Sequence, residues 1–172
     1  MRCFLLLLLL LLPLSTACLQ AAGPPRVVDR VDLKRYVGTW YEIARYPNFF
    51  QKKCAGGTTA TYELRPDGKI TVINRCREKG GDMSEARGKA WVVDRATNAK
   101  LKVQFFWPFS GAYWIIELDP DYRWAVVGHP DRKYLWILSR TPALEPAAYD
   151  DILRRIAAQG YDLKPIIPTP QP

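Results

Sequence analysis

The sequence predicts an all-β fold: an eight-stranded antiparallel up-and-down β-barrel with one C-terminal α-helix packed outside. Short runs of β-branched and aromatic residues recur roughly every ten positions between turn residues. Their number, eight, closes a barrel with an interior just wide enough for one small ligand. A single stretch of helical period follows the last of them. With 172 residues, 48% of them hydrophobic, the chain suits one compact domain and leaves little room for a second.

The strands are read over residues 38–46, 58–64, 69–75, 85–94, 101–106, 112–118, 124–128 and 134–140. Arg65-Pro66-Asp67-Gly68 places Pro and Gly where a type I turn wants them, so the second and third strands form a hairpin. Thr97-Asn98, Pro108, Asp119-Pro120-Asp121 and Pro130-Asp131 punctuate later gaps. Closure of the eight into a barrel removes the exposed edges. Pro146 suits a first helical position, Tyr149, Ile152, Leu153 and Ile156 follow at i, i+3, i+4 and i+7, and Gly160 stops the helix. Its apolar stripe needs the barrel's outer wall. Residues 163–167 can add a short terminal strand, which Pro165 confines to an edge, before a Pro-rich tail at 169–172.

Residues 1–17 stand apart: Arg2, an apolar run over 4–12 and the small residues Ser15-Thr16-Ala17 make an export signal, too short for the roughly 20 residues of a spanning helix. Leu14-Ser15-Thr16-Ala17-Cys18 resembles a bacterial lipobox, with Ser15 where Leu is preferred. Cys18 would then carry acyl chains, palmitate among them, enough for stable membrane attachment. A linker at 18–30, marked by Gly23-Pro24-Pro25, leads to the barrel domain at 31–168. Cys3 leaves with the signal and Cys18 takes the lipid, so Cys54 and Cys76 remain to pair in an oxidising compartment, a loop closure worth about 3 kcal/mol. Two Cys and the lone His129 do not fill a zinc shell, and no metal site is expected. The net charge of +8 is scattered along strands and turns, which fits a solvated barrel biased towards anionic lipid and offers no nucleic-acid recognition element.

Gly38-Thr39-Trp40-Tyr41-Glu42-Ile43-Ala44-Arg45 resembles the Gly-x-Trp opening strand of the lipocalins. Asp119-Pro120-Asp121-Tyr122 is similar to that family's second motif, with Pro120 replacing the usual Thr, and Ser139-Arg140-Thr141-Pro142 to its third. The bacterial outer-membrane lipocalins match best, through Gly88-Lys89-Ala90, Leu101-Lys102-Val103 and Tyr134-Leu135-Trp136-Ile137. The resemblance implies a lipocalin barrel on the bacterial outer membrane, periplasmic face, or otherwise a secreted or periplasmic one. Leu19 after Cys18, not being Asp, agrees with outer-membrane sorting.

Strand direction brings the three motifs to one end, so Gly38, Trp40, Asp121, Tyr122 and Arg140 should meet, with the Arg140 guanidinium stacked on Trp40, worth up to about 2 kcal/mol when desolvated. Connections one, three, five and seven return to the opposite end, the ligand mouth, with Phe49, Phe50, Lys52 and Lys53, then Arg77 and Lys79, then Trp107 and Phe109, then His129, Arg132 and Lys133. An apolar tail would enter there while a carboxylate or phosphate stays at the basic rim. Both Cys54 and Cys76 fall near this end, although hairpin register sets Thr58 opposite Cys76, so Ala55-Gly56-Gly57 must bulge.

The resemblance points Trp40 and Arg140 inward, and alternation from them lines the pocket with Glu42, Ala44, Tyr46, Trp136 and Leu138. On the sixth strand, Tyr113, Ile115 and Glu117 compete with Trp114, Ile116 and Leu118, and spacing from the second motif favours the first set. Two inward carboxylates, Glu42 and Glu117, then need a partner or a proton. The function expected is binding and transport of a fatty acid or lysophospholipid, without cofactor or covalent chemistry: there is no Gly-x-Ser-x-Gly, phosphate loop or metal-ligand spacing. Alternatives are a lipocalin-fold enzyme using a free Cys54, and a haem or pigment carrier using His129. Whether two copies pair as a homodimer is left open by the sequence.

Overall fold

The structure, a computed structural model, describes residues 23–172, so the signal segment and Cys18 lie outside the described residues. An extended segment leads to a one-turn helix α1 (Leu33–Tyr36), which the sequence reading omits and which Asp32 caps by accepting from Lys34 N–H. The strands are β1 (Gly38–Arg45), β2 (Cys54–Leu64), β3 (Ile70–Glu78), β4 (Met83–Val92), β5 (Lys100–Phe106), β6 (Phe109–Leu118), β7 (Trp124–Gly128) and β8 (Leu135–Ser139). Helix α2 (Pro146–Ala158) and a two-residue strand β9 (Ile167–Pro168) follow. From β1 to β8 each strand pairs antiparallel with the next, and β1 pairs with both β2 and β8, closing the expected eight-stranded barrel.

Two apolar cores lie on opposite faces of the wall. Trp40, Tyr62, Val72, Leu101, Ile115, Val127 and Leu138 fill the inside towards the closed end. Outside, Ile152 and Ile156 of α2 pack on Ala44, Ile116, Val126 and Ile137. Pro at the first helical position starts α2, and Gly160, at φ +84°, ends it where a left-handed backbone suits glycine.

Two β-bulges reverse the alternation. On β1, Glu42 faces Leu138 but Ala44 faces Ile137, so Ile43 is extra. On β6, Ile115 faces Val127 but Glu117 faces Val126, so Ile116 is extra. An added residue turns everything beyond it to the other face. Ala44, Tyr46 and Glu117, expected in the pocket, therefore lie on the outer face. Ala44 and Tyr46 belong to the core under α2, the Tyr46 hydroxyl donates to the Asp162 carbonyl, and the Glu117 carboxylate accepts from Gln159 Nε2 at 2.7 Å.

The C-terminal residues are also built in. Strand β9 pairs with Ala44 and Arg45, Thr169 N–H donates to Ile43, and Gly57 N–H donates to Pro170. The segment read as a tail therefore seats in the seam that opens between β1 and β2.

Candidate functional site

At the closed end, the Arg140 guanidinium lies 3.7 Å from the centroid of the fully buried Trp40 ring. It donates to the carbonyls of Arg35, Tyr36, Val37 and Thr39 at 2.7 to 3.1 Å, locking α1 across the barrel floor. Gly38 has φ +97°, and a Cβ there would sit 3.3 Å from Arg140 Nη1, so backbone and packing both select glycine. Tyr122 joins this end, its hydroxyl accepting from Asp32 N–H and its ring lying under the Arg35 guanidinium. Asp121 does not join. Its side chain is 75% exposed, and the turn is organised instead by buried Asp119, which accepts from the Asp121 and Arg123 N–H groups and pairs with the Arg123 guanidinium. That guanidinium holds the Asp119 carboxyl below the usual carboxylate range. The i, i+4 spacing of Asp119 and Arg123 was the available signal.

Above this floor, Tyr36, Tyr113 and Tyr62 form a hydrogen-bonded chain, 2.8 Å and 2.9 Å between hydroxyls. Burial pushes all three phenols up, Tyr62 to about 12, so they stay neutral donors and acceptors. Ile115 and Leu138 line the inner wall, and Trp136 packs against it. Ala86 shares the inward face of β4 with Ala90 yet is exposed, and Ala60, Val103 and Phe105 are only half-buried. The interior is thus not filled by side chains on the β2 to β5 side.

Glu42 is the polar node of the inner face. It is 3% exposed, accepts from Gln51 Nε2 at 2.7 Å and from the Thr169 hydroxyl at 2.6 Å, and forms an ion pair with Arg45 at 3.1 Å. Burial raises its carboxyl above the ordinary 4.5, against the lowering effect of Thr169, Gln51 and Arg45. Gln51 also accepts from the Trp136 indole N–H at 2.9 Å, and Gln171 donates to the carbonyls of Glu42 and Thr58. Sequence reasoning missed Arg45, Gln51, Thr169 and Gln171. Glu42 and Glu117 lie on opposite faces of the wall, so they share no reaction centre.

At the mouth, the structure brings together connections one, three and seven. Phe50 packs on Tyr134 and Trp136, and Lys53 pairs with Glu78 at 2.8 Å. Cys54 and Cys76 form a disulfide, made possible by two one-residue shifts between β2 and β3 across residues 54–59. This bond leaves neither thiol free for nucleophilic chemistry. A recess of about 380 Å³ opens beside Arg45, Pro47, Asn48, Phe49, Lys52 and Ile167. Trp107 and Phe109 stand apart on the β5–β6 tip, 86% and 77% exposed. His129 sits on the rim against Asp131, and among the described residues no group of three His, Cys, Asp or Glu gathers as metal ligands.

The family model for a lipocalin-like domain matches residues 31–171. Among curated proteins, the chain is 44% identical over 163 residues to outer membrane lipoprotein Blc of Escherichia coli (strain K12), covering 92% of this chain and 91% of the relative. It is 41% identical over 153 residues to temperature-induced lipocalin-1 of Arabidopsis thaliana, covering 84% and 82%. Among solved structures, insecticyanin from the tobacco hornworm Manduca sexta superposes with a TM-score of 0.68 at 22% identity, covering 87% and 85%. The family match, the identities and the closed barrel agree, and the chain belongs to the lipocalin-like family.

Proposed function

We propose that this barrel binds and carries a fatty acid or a lysophospholipid, acyl tail inward and acidic headgroup at the rim, on a protein held to the bacterial outer membrane through acylated Cys18. The observation that carries the reading is the incompletely filled inner wall beneath a rim that offers Arg45 and Lys52 beside apolar Phe49 and Ile167. An aliphatic chain fits the wall, and charge-assisted contacts suit a carboxylate or phosphate at the rim. The name of the Escherichia coli relative supports the anchor and the membrane. The disulfide and the separation of Glu42 from Glu117 support a carrier without covalent chemistry.

Native mass spectrometry of the protein from its own host tests this. An acylated Cys18, a mass two protons short, and a released fatty acid or lysophospholipid are expected. An unmodified N-terminus would overturn the anchor, and a chemically different cargo would overturn the lipid. Trp136→Ala should weaken binding of the released lipid; unchanged affinity would place Trp136 outside the ligand's path.

A further inference from the structure

The largest exposed apolar side chains stand at the mouth end of the barrel. Phe106, Trp107 and Phe109 on the projecting β5–β6 tip are 77%, 86% and 77% exposed, with Met83 at 62% at the start of β4 on the adjoining connection and Phe49 at 70% across the mouth on the first connection. Among the described residues, no aromatic ring stacks against the three tip residues. The other connections at this end are cationic. Glu78 pairs with Lys53 and Asp131 with Lys133, while Lys52, Arg77 and Lys79 have no carboxylate partner among the described residues and only Asp82 is left to oppose them.

We infer that this rim is a bilayer-docking face, on which the β5–β6 tip sinks Phe106, Trp107 and Phe109 into the headgroup region of an anionic membrane while Lys52, Arg77 and Lys79 meet lipid phosphates. Exposed apolar patches of this kind mark interaction surfaces. Amphipathic aromatic rings favour the membrane–water interface, and cations near the surface draw towards anionic lipid. A second copy of the chain fits less well. A two-fold interface sets each patch against itself, which would oppose Lys52, Arg77 and Lys79 to their own copies, and a projecting hairpin tip is not self-complementary. Docking here turns the mouth to the bilayer, so lipid can pass between membrane and barrel without crossing bulk water. The docking surface itself does not depend on the cargo.

The test adds the mature protein, as its host exports it, to vesicles of phosphatidylcholine with or without phosphatidylglycerol, each doped with lipid brominated in the acyl chain as a contact quencher of tryptophan. Quenching is expected in the wild type and is expected to be largely absent in Trp107→Phe, because the other five Trp sit in strands of the wall. Replacing Phe106 and Phe109 by Ser, with Trp107 kept as reporter, should cut quenching about tenfold. Phosphatidylglycerol should strengthen it. An acyl anchor alone would hold the protein nearby without bringing Trp107 to the bromine, so an unquenched Trp107 overturns the proposal whether or not Cys18 is lipidated. Quenching retained in Trp107→Phe overturns the tip assignment, and indifference to phosphatidylglycerol overturns the role of the cations. A concentration-dependent dimer that Phe106→Ser and Phe109→Ser dissociate, with Trp107 unquenched, would assign the face to a second copy instead. Circular dichroism checks the serine variant; if its β signal is lost, the size-conserving Trp107→Phe decides.

Discussion

Two side chains each hold several segments together, and each makes its own measurable demand. Arg140 satisfies four carbonyls of the α1–β1 segment while covering Trp40, which uses the planar fork of a guanidinium. Lys at this position has three donors and no flat face, so Arg140→Lys should cost about 2–4 kcal/mol in urea unfolding through unpaired carbonyls and lost stacking. A cost below about 1 kcal/mol would mean that α1 holds without it. Glu42 works in the other direction. Its folded carboxyl binds a proton more tightly than at its ordinary 4.5, because burial outweighs Thr169, Gln51 and Arg45. Stability from this group is therefore complete below pH 4.5 and falls as pH rises from 4.5 through the raised folded value. Other carboxyls, such as Asp119, are held low and act oppositely, so the comparison must be between proteins. Melting temperatures from pH 4 upwards should decline less in Glu42→Gln than in the wild type across that window; parallel curves would show that Glu42 is ionised without cost.

At the scale of elements, residue pattern located the strands within a few positions because alternation and turn residues are local signals. It failed where one strand gains a residue against its neighbour. Nothing in Glu42-Ile43-Ala44 or Ile115-Ile116-Glu117 announces a bulge, since all of these residues suit a pleated wall. The extra residue is dictated by β8 and β7 on the other side of the ladder. Alternation set all eight expected pocket residues on the inner face; Glu42, Tyr113, Ile115, Trp136 and Leu138 lie there, whereas the bulges turn Ala44, Tyr46 and Glu117 outward. The seam was hidden for a similar reason. Thr169, Pro170 and Gln171 read as a tail, and their partners Ile43, Gly57, Glu42 and Thr58 lie more than 100 residues away. Gly56 makes the seam testable, because a Cβ there would come within 2.6 Å of the Pro170 carbonyl oxygen, which is backbone and cannot swing aside. Gly56→Val should expel residues 167–172 and leave the eight strands closed. Carboxypeptidase should then trim the variant and spare the wild type; equal resistance would mean that the strand yields instead of the tail.

For the whole molecule, the wall divides labour. Its outer face carries α2, its inner face and rim hold the proposed ligand site, and the disulfide ties the first connection to the sheet at the boundary. The rim is not uniformly available, however. Lys53 is engaged by Glu78, whereas Lys52 lines the recess beside Phe49 and Ile167. An acidic headgroup entering that recess meets Lys52 first, whereas reversing Lys53 mainly sets it against its own ion-pair partner, Glu78. Lys52→Glu should therefore weaken a fatty acid or lysophospholipid by roughly tenfold, about 1.4 kcal/mol, at low salt, while a neutral lipid such as a monoacylglycerol loses little. Lys53→Glu should cost both ligands about equally, through stability, and that loss should shrink in salt, which screens the repulsion from partly exposed Glu78. Fluorescence titration of the four protein and ligand combinations separates the cases. Equal losses for anionic and neutral lipid at Lys52 would detach the headgroup from the recess and leave the inner wall alone to explain binding.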